Sequence, residues 1–349
     1  MAQVYPIILC GGMGSRLWPE STPNRPKAFL ALTGPRSLLQ ETALRVAGIA
    51  GAATPIVVAS AVHIDVVRAQ FAEVGVPCQL VAEPGGRGSA PAIAAAALEI
   101  FDEHPQGVAL VVACDHHVPD AGSFADGVRA SLAAAAAGSI VTFGVKPTHP
   151  SEAYGYILPG DPLQGPVRSV TAFVEKPPPR RAEELILAGG VWNSGNFVFA
   201  VGALIDELEK REPALLAAVR RARREARREG DLLALGDAFL ASPNIAIDVA
   251  VMEKTDRAAV LSIDYAWSDL GAWDSVLEAA EKDAAGNATR GRVELTDSEG
   301  CLIRADAGAR VVVVGLRDIA VVVENGRILV CDLASAQKVR TAASGIEGD

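Results

Sequence analysis

Short apolar runs alternate with helix-length segments along the first 145 residues, and few folds accommodate that alternation. Val4 to Leu9, Pro55 to Ala59, Cys78 to Ala82, Val108 to Ala113 and Ile140 to Val145 read as strands. Between them, a helix capped by Ser37 and running to about Ile49, then Ala61 to Val74, Ala90 to Phe101 and Ser123 to Ala137, read as helices. Strands this continuously apolar bury both faces, so the pattern predicts an α/β fold: a mixed, mostly parallel sheet in a three-layer α/β/α, Rossmann-like arrangement. Such sheets bind ligands beyond the carboxyl ends of their strands.

The first such end carries Gly11-Gly12-Met13-Gly14-Ser15-Arg16, with Lys27 eleven residues after Arg16. Glycines let backbone N–H groups approach phosphate oxygens, and Arg16 and Lys27 add a forked and a compact cation, which suits a nucleoside triphosphate. The segment is neither a GxxxxGK[ST] loop nor a full GxGxxG, and a bare GGxG by itself reads first as an ordinary turn with two surface cations. Asp115 follows the Val108 to Ala113 run, and Asp269 lies in the turn-rich WSDLGAW. Each alone reads as a solvated loop aspartate. Together they offer the carboxylates Mg²⁺ takes beside phosphate oxygens. Zinc is not expected at Cys114, His116 and His117, because adjacent side chains diverge and no partner pair has ligand spacing.

Glu83-Pro84-Gly85-Gly86-Arg87-Gly88-Ser89 joins a strand to an alanine-rich helix whose N-terminal N–H groups attract anions or base carbonyls, although a plain cap is the simpler reading. From Tyr154 to Lys176 the signals shift to shorter strands and Pro/Gly turns, and helices return from Ala182. Gly155, the Glu175-Lys176 pair and Asn193 in Trp192-Asn193-Ser194-Gly195 each read alone as a turn or a salt bridge, but together they supply a close approach, a carboxylate, an ammonium and an amide, the groups a sugar phosphate needs. Beyond Gly286 the chain turns strand-like, with VVVV at 311 to 314 and IAVVV at 319 to 323, so a nucleotide-binding domain over 1–286 and a small β domain over 287–349 are expected. No strict hexapeptide repeat marks that tail.

A chain of 349 residues, half of them hydrophobic, buries a large core. Its net charge of −10 disfavours a nucleic-acid surface. The basic run Arg220 to Arg228 reads as a solvated helix face, since Glu225 and Glu229 interrupt it. No apolar run is long enough for a membrane span and no signal-peptide core is present, so a cytoplasmic protein is expected. The 5 cysteines are scattered and never spaced as CxxC, as for reduced core thiols.

GGxGxRLWP followed by PK resembles the signature of the sugar-1-phosphate nucleotidylyltransferases, and the Leu17-Trp18-Pro19 form is similar to the mannose-1-phosphate guanylyltransferases among them. The resemblance runs from about Val4 to Val339 and includes IDVAVMEKT at 247 to 255. It implies a nucleotidyltransferase domain with a short left-handed β-helical tail, using GTP, mannose 1-phosphate and Mg²⁺. Arg16, Lys27 and Asp115 are then catalytic. Gly11, Gly12, Gly14, Glu83, Pro84, Arg87 and Ser89 bind nucleotide, Gly155, Glu175 and Asn193 bind the sugar, Lys176 its phosphate, and Asp115 and Asp269 the metal. The same chemistry with glucose 1-phosphate and UTP or dTTP is the nearest alternative, and a non-catalytic sugar-nucleotide sensor the alternative of another class. Departures from the family pattern are Gly88 and Ser89 for Asn and Thr, Ala28 for Gln, Asn196 for Met and Thr22 for Arg. No isomerase domain of the kind fused to longer relatives is expected, and a homodimer is a guess from the apolar tail.

Overall fold

The computed structural model describes residues 3–343, so the last residues of the expected β domain, 344–349, lie outside it. Its chain divides into two compact units, the first holding 1–11, 42–114 and 118–267, the second 12–41, 115–117 and 268–349.

The first unit is built on one 11-stranded sheet. In chain order its elements are β1 (Val4–Cys10), α1 (Leu38–Ala47, which begins in the second unit), β2 (Ile56–Ser60), α2 (Ile64–Glu73), β3 (Gln79–Glu83), α3 (Ser89–Glu103), β4 (Val108–Ala113), α4 (Ala121–Ala136) and β5 (Ile140–Val145). There follow β6 (Tyr156–Gln164), β7 (Val167–Val174), α5 (Pro179–Leu187), β8 (Val191–Ala200), α6 (Val201–Arg211), α7 (Pro213–Arg224), β9 (Arg227–Glu229), β10 (Leu232–Ala234) and β11 (Ala258–Ile263). The order β5-β11-β7-β6-β8-β4-β1-β2-β3-β10-β9 places a parallel block, β4-β1-β2-β3, at the centre. Antiparallel pairs surround β8 and join β6 to β7. Successive residues point to opposite faces of a strand, yet Ile7 and Ile8, and likewise Val57 and Val58, are all buried. Both faces are therefore covered. On one face sit α3, α6 and α7, and α3 buries every residue from Ala90 to Leu98, as a helix apolar all round must.

The arginine-rich run does not form one helix face. Helix α7 ends at Arg224, and Arg227–Glu229 pairs antiparallel with β10 about Gly230, whose φ of +56° permits the turn. Acidic side chains neutralise the run: Arg223 pairs with Glu99 and with Asp102 (2.8 Å), Arg228 with Glu99 (2.6 Å) and Arg221 with Glu225 (2.6 Å).

In the second unit α8 (Trp273–Ala279) precedes β12 (Ala288–Arg290), β13 (Arg292–Thr296), β14 (Leu302–Ala305), β15 (Arg310–Val314), β16 (Ile319–Glu324), β17 (Arg327–Asp332) and α9 (Val339–Ala343). Strands β12, β14 and β16 stack in parallel, as do β13 and β15, giving a β-helix-like coil, with β17 added antiparallel. The stacking step is irregular: Ala288 pairs with Leu302, but Leu302 pairs with Ala320, four residues further on than an even step allows. This unit reaches further than a cut at residue 287. Leu17, Trp18, Leu30 and Leu32 share one core with Trp273, Leu302 and Val322, and Trp273 Nε1 donates to the Trp18 carbonyl (3.0 Å).

Candidate active site

The glycine segment after β1 needs its glycines. Gly12 and Gly14 have φ of +93° and +66°, and a Cβ at Gly14 would overlap the Lys27 side chain. Arg16 follows on a short 3₁₀ turn, Ser15–Leu17, fixed by buried Leu17. Lys27 opens a second such turn and is itself buried. Its Nζ lies 2.6 Å from Asp115 Oδ2 and donates to the Asp269 backbone carbonyl at 2.5 Å. Lys27, Asp115 and Asp269, far apart in sequence, thus meet on one ammonium within the second unit.

Burial works hardest on Asp115 and opposes its charge. Lys27, through charge and hydrogen bond, and His116 outweigh it, holding the carboxyl below the ordinary aspartate range. The Asp269 carboxylate accepts from Gly271 N (3.2 Å). His117 is occupied in pairing its backbone with Ser268, and its ring meets Thr33 Oγ1 at 3.2 Å. Among the described residues there is no group of three or more His, Cys, Asp or Glu able to hold a metal. Aspartate carboxylates are the hard-oxygen donors Mg²⁺ takes beside phosphate and water, although Asp269 reaches the Lys27 ammonium through its backbone carbonyl and the Asp115 carboxylate is paired with Lys27.

In the first unit, the end of β3 carries Glu83. Its Oε1 is fully buried with no hydrogen-bond partner among the described residues, and burial raises its pKa to about 7. Pro84 beside it is exposed. Arg87 Nε donates to the Leu240 carbonyl (2.8 Å), and Ser89 Oγ accepts from Ile247 N (2.9 Å), so both side chains also shape the β3–α3 turn. Gly88 is the residue before the helix. With φ +77° and the Ile245 backbone 2.5 Å from where a Cβ would stand, the position excludes the Asn of the family pattern.

A second group of the first unit gathers Gly155, Glu175, Lys176 and Asn193. A Cβ on Gly155 would meet Glu175 Oε2 at 2.6 Å, so the glycine makes room for that carboxylate. Lys176, at φ +46°, pairs with Glu175 (2.8 Å) and is exposed. Asn193 is buried and largely occupied: its Oδ1 accepts from Thr142 Oγ1 (2.7 Å) and Gly195 N (3.1 Å), and its Nδ2 donates to Asp248 Oδ1 (2.7 Å). Its amide therefore has one N–H left, and Asp248 emerges as a member of this group that the sequence reading did not single out. Burial first, then Glu175, raises the Asp248 pKa to about 6 against the Asn193 hydrogen bond. Tyr154 packs on Trp192 with ring centroids 4.7 Å apart, adding an aromatic wall. Asn196 and Ala28 are both buried, Asn196 bonding to Ser194 Oγ (3.2 Å).

A mixed sheet with a glycine segment at a central strand end, a buried Lys–Asp pair and a separate group of sugar-type donors defines a class of enzyme that moves nucleotidyl groups. The chain belongs to the nucleotidyl transferase family, whose model matches residues 5–286. It is 41% identical over 351 residues to the xanthan biosynthesis protein XanB of Xanthomonas campestris (strain ATCC 33913), covering 99% of this chain and 74% of that protein. It is 37% identical over 356 residues to the mannose-1-phosphate guanylyltransferase ManC of Salmonella typhimurium, covering 99% and 74%. A crystal structure described as a mannose-1-phosphate geranyltransferase from Thermus thermophilus superposes with a TM-score of 0.88 at 30% identity, covering 99% of this chain and all of that one. The protein is a nucleotidyltransferase of the sugar-1-phosphate nucleotidylyltransferase family. No helix among the described residues is long and apolar enough to cross a membrane.

Proposed function

We propose that the protein transfers GMP from GTP to α-D-mannose 1-phosphate, giving GDP-mannose and pyrophosphate. The observation that carries this reading is the buried Lys27 ammonium held by Asp115 and the Asp269 carbonyl, in the same unit as Arg16. A phosphate oxygen of the sugar phosphate attacks the α-phosphorus, the bond to the β-bridging oxygen breaks, and pyrophosphate departs with that electron pair. No protein nucleophile is required. Lys27 stabilises the charge growing on the α-phosphate oxygens, Arg16 holds the departing phosphates, and the backbone of Gly11, Gly12 and Gly14 seats the nucleotide. Mg²⁺ held by Asp115 and Asp269 would neutralise phosphate charge and polarise the phosphoryl oxygens.

Guanine is favoured by Glu83. An ionised carboxylate oxygen without a partner accepts from the N1–H and 2-amino group of guanine, whereas uracil and thymine present one N–H flanked by two carbonyls that would repel it. Pro84, Arg87 and Ser89 shape the turn around it. For the sugar, Glu175 accepts from hydroxyls, the remaining Asn193 N–H donates, and Lys176 holds the phosphate once released from Glu175. The name of the ManC relative gives mannose 1-phosphate and the guanylyl group.

The test is pyrophosphate release over a grid of nucleoside triphosphates and hexose 1-phosphates with Mg²⁺. The reading expects the highest kcat/KM for GTP with mannose 1-phosphate. A maximum for UTP or dTTP with glucose 1-phosphate would replace the substrates and keep the chemistry. No release from any combination would favour a sugar-nucleotide sensor.

A further inference from the structure

Within the second unit, Arg25, Arg290, Arg292 and Arg304 line a cleft of about 460 Å³ together with Glu20, Asp306 and Glu324. Most of these charges are already spent. Arg304 and Glu20 are buried and paired at 2.6 Å, and Arg25 meets Glu324 at 2.8 Å. The Asp306 oxygens accept from the backbone N–H groups of Gly308 (3.1 Å) and Asn325 (2.8 Å). Two guanidinium groups are left over. Arg290 donates to the Ala31 carbonyl (2.6 Å), and Arg292 has no carboxylate within 4.0 Å among the described residues.

The backbone fixes these two arginines. Gly291 between them has φ +90°, and a Cβ there would run into the Ala305 carbonyl, so the chain turns at that point and presents Arg290 and Arg292 to the cleft. Arg310 stands in register with Arg292 in the parallel ladder but lies outside the cleft lining and pairs with Glu294 at 4.0 Å. A cationic cleft in a chain of net charge −10 draws anions, and its volume falls within the small-molecule range. Guanidinium forks match phosphate oxygens in pairs.

We propose that this cleft is a binding site for a small ligand bearing a diphosphate group, and that its occupancy bears on the segment holding Arg16 and Lys27. The coupling runs through two backbone carbonyls and one ion pair. Arg290 and Arg304 both donate to the Ala31 carbonyl, Arg304 also to that of Leu32 (3.0 Å), and Arg304 pairs with Glu20. A ligand that takes Arg290 removes one tie on the segment between Arg16 and β2. This regulatory half rests on the proposed function, whereas the binding half does not.

Calorimetric titration of the full chain with GDP tests it. One binding event of the wild type should be lost in Arg292→Ala, with inorganic phosphate competing for that event; GDP binding at the proposed active site would add an event that both proteins keep. Without GDP, the kcat of Arg292→Ala should stay within about twofold of wild type, since the exposed side chain takes no part in the chemistry. GDP inhibition against GTP should carry a non-competitive component in the wild type and be purely competitive in the variant. No binding in the wild type, or the same number of events in the wild type, Arg292→Ala and the Arg290→Ala/Arg292→Ala double variant, would overturn the proposal. The titration reads binding even if no substrate pair turns over, so its failure is separable from that of the proposed reaction.

Discussion

Glu83 and Asp248 are the residues whose charge state does most to distinguish this account. Folding raises the Glu83 pKa from 4.5 to about 7 and that of Asp248 from 3.8 to about 6, so the folded chain holds protons that the unfolded chain has already released. Their contribution to stability is therefore present at acidic pH and is lost as pH rises through those windows, on the order of 3 kcal/mol for each. In urea titrations across pH, Glu83→Gln should flatten the fall between about 4.5 and about 7. GTP recognition has the opposite sign, because the acceptor must be ionised. The KM for GTP should rise as pH drops below about 7 in the wild type, and Glu83→Gln should lose about 10- to 100-fold in kcat/KM for GTP together with that pH limb. Unaltered base selectivity in Glu83→Gln would remove the guanine assignment. Asp248→Asn should raise the KM for the sugar phosphate more than it lowers kcat, since Asp248 acts by holding Asn193.

The meeting of Lys27 with Asp115 at 2.6 Å is legible in the sequence because each follows the end of an apolar strand, where chain connectivity does much to fix the neighbourhood. Asp248 and Thr142 are not. Thr142 sits mid-strand in Ile140–Val145, and Asp248 opens a π-helical turn, Asp248–Met252; only tertiary packing aims both at the Asn193 amide.

Elements follow the apolar pattern closely wherever both faces of a strand are buried, as Ile140–Val145 and Val108–Ala113 illustrate. The arginine run reads as one helix from sequence because a three-residue edge strand carries no hydrophobic signature; pairing with β10 decides it. The coil of the tail is hidden for another reason: its stacking step varies, so no fixed period exists to find. At this scale the glycines are the sharpest probes. Gly88→Asn, which restores the family residue, should lower the melting temperature by several degrees through strain at φ +77° and the clash with Ile245. Gly14→Ala should lower the melting temperature as well, through strain at φ +66°, and should in addition depress kcat, because its Cβ displaces the Lys27 side chain. An undiminished kcat in Gly14→Ala would contradict this.

Across the molecule, the second unit combines the 12–41 segment with the coiled tail in one core, and the buried Arg304–Glu20 pair is its polar anchor. Arg304→Ala strands a buried carboxylate, so it should cost about 3–5 kcal/mol of unfolding free energy and lower kcat as well, whereas Arg25→Ala at the exposed Glu324 pair should cost less than about 1 kcal/mol. If the Lys27 ammonium, set by Asp115, stabilises the charge of nucleotidyl transfer, its removal slows the chemical step itself. Single-turnover rapid quench with GTP, mannose 1-phosphate and Mg²⁺, wild type beside Lys27→Ala, reads that step. GDP-mannose formation should be slowed by about 100- to 1000-fold in the variant, with GTP affinity changed only a few-fold. Formation at the wild-type rate in Lys27→Ala, or none in the wild type, would rule this role out.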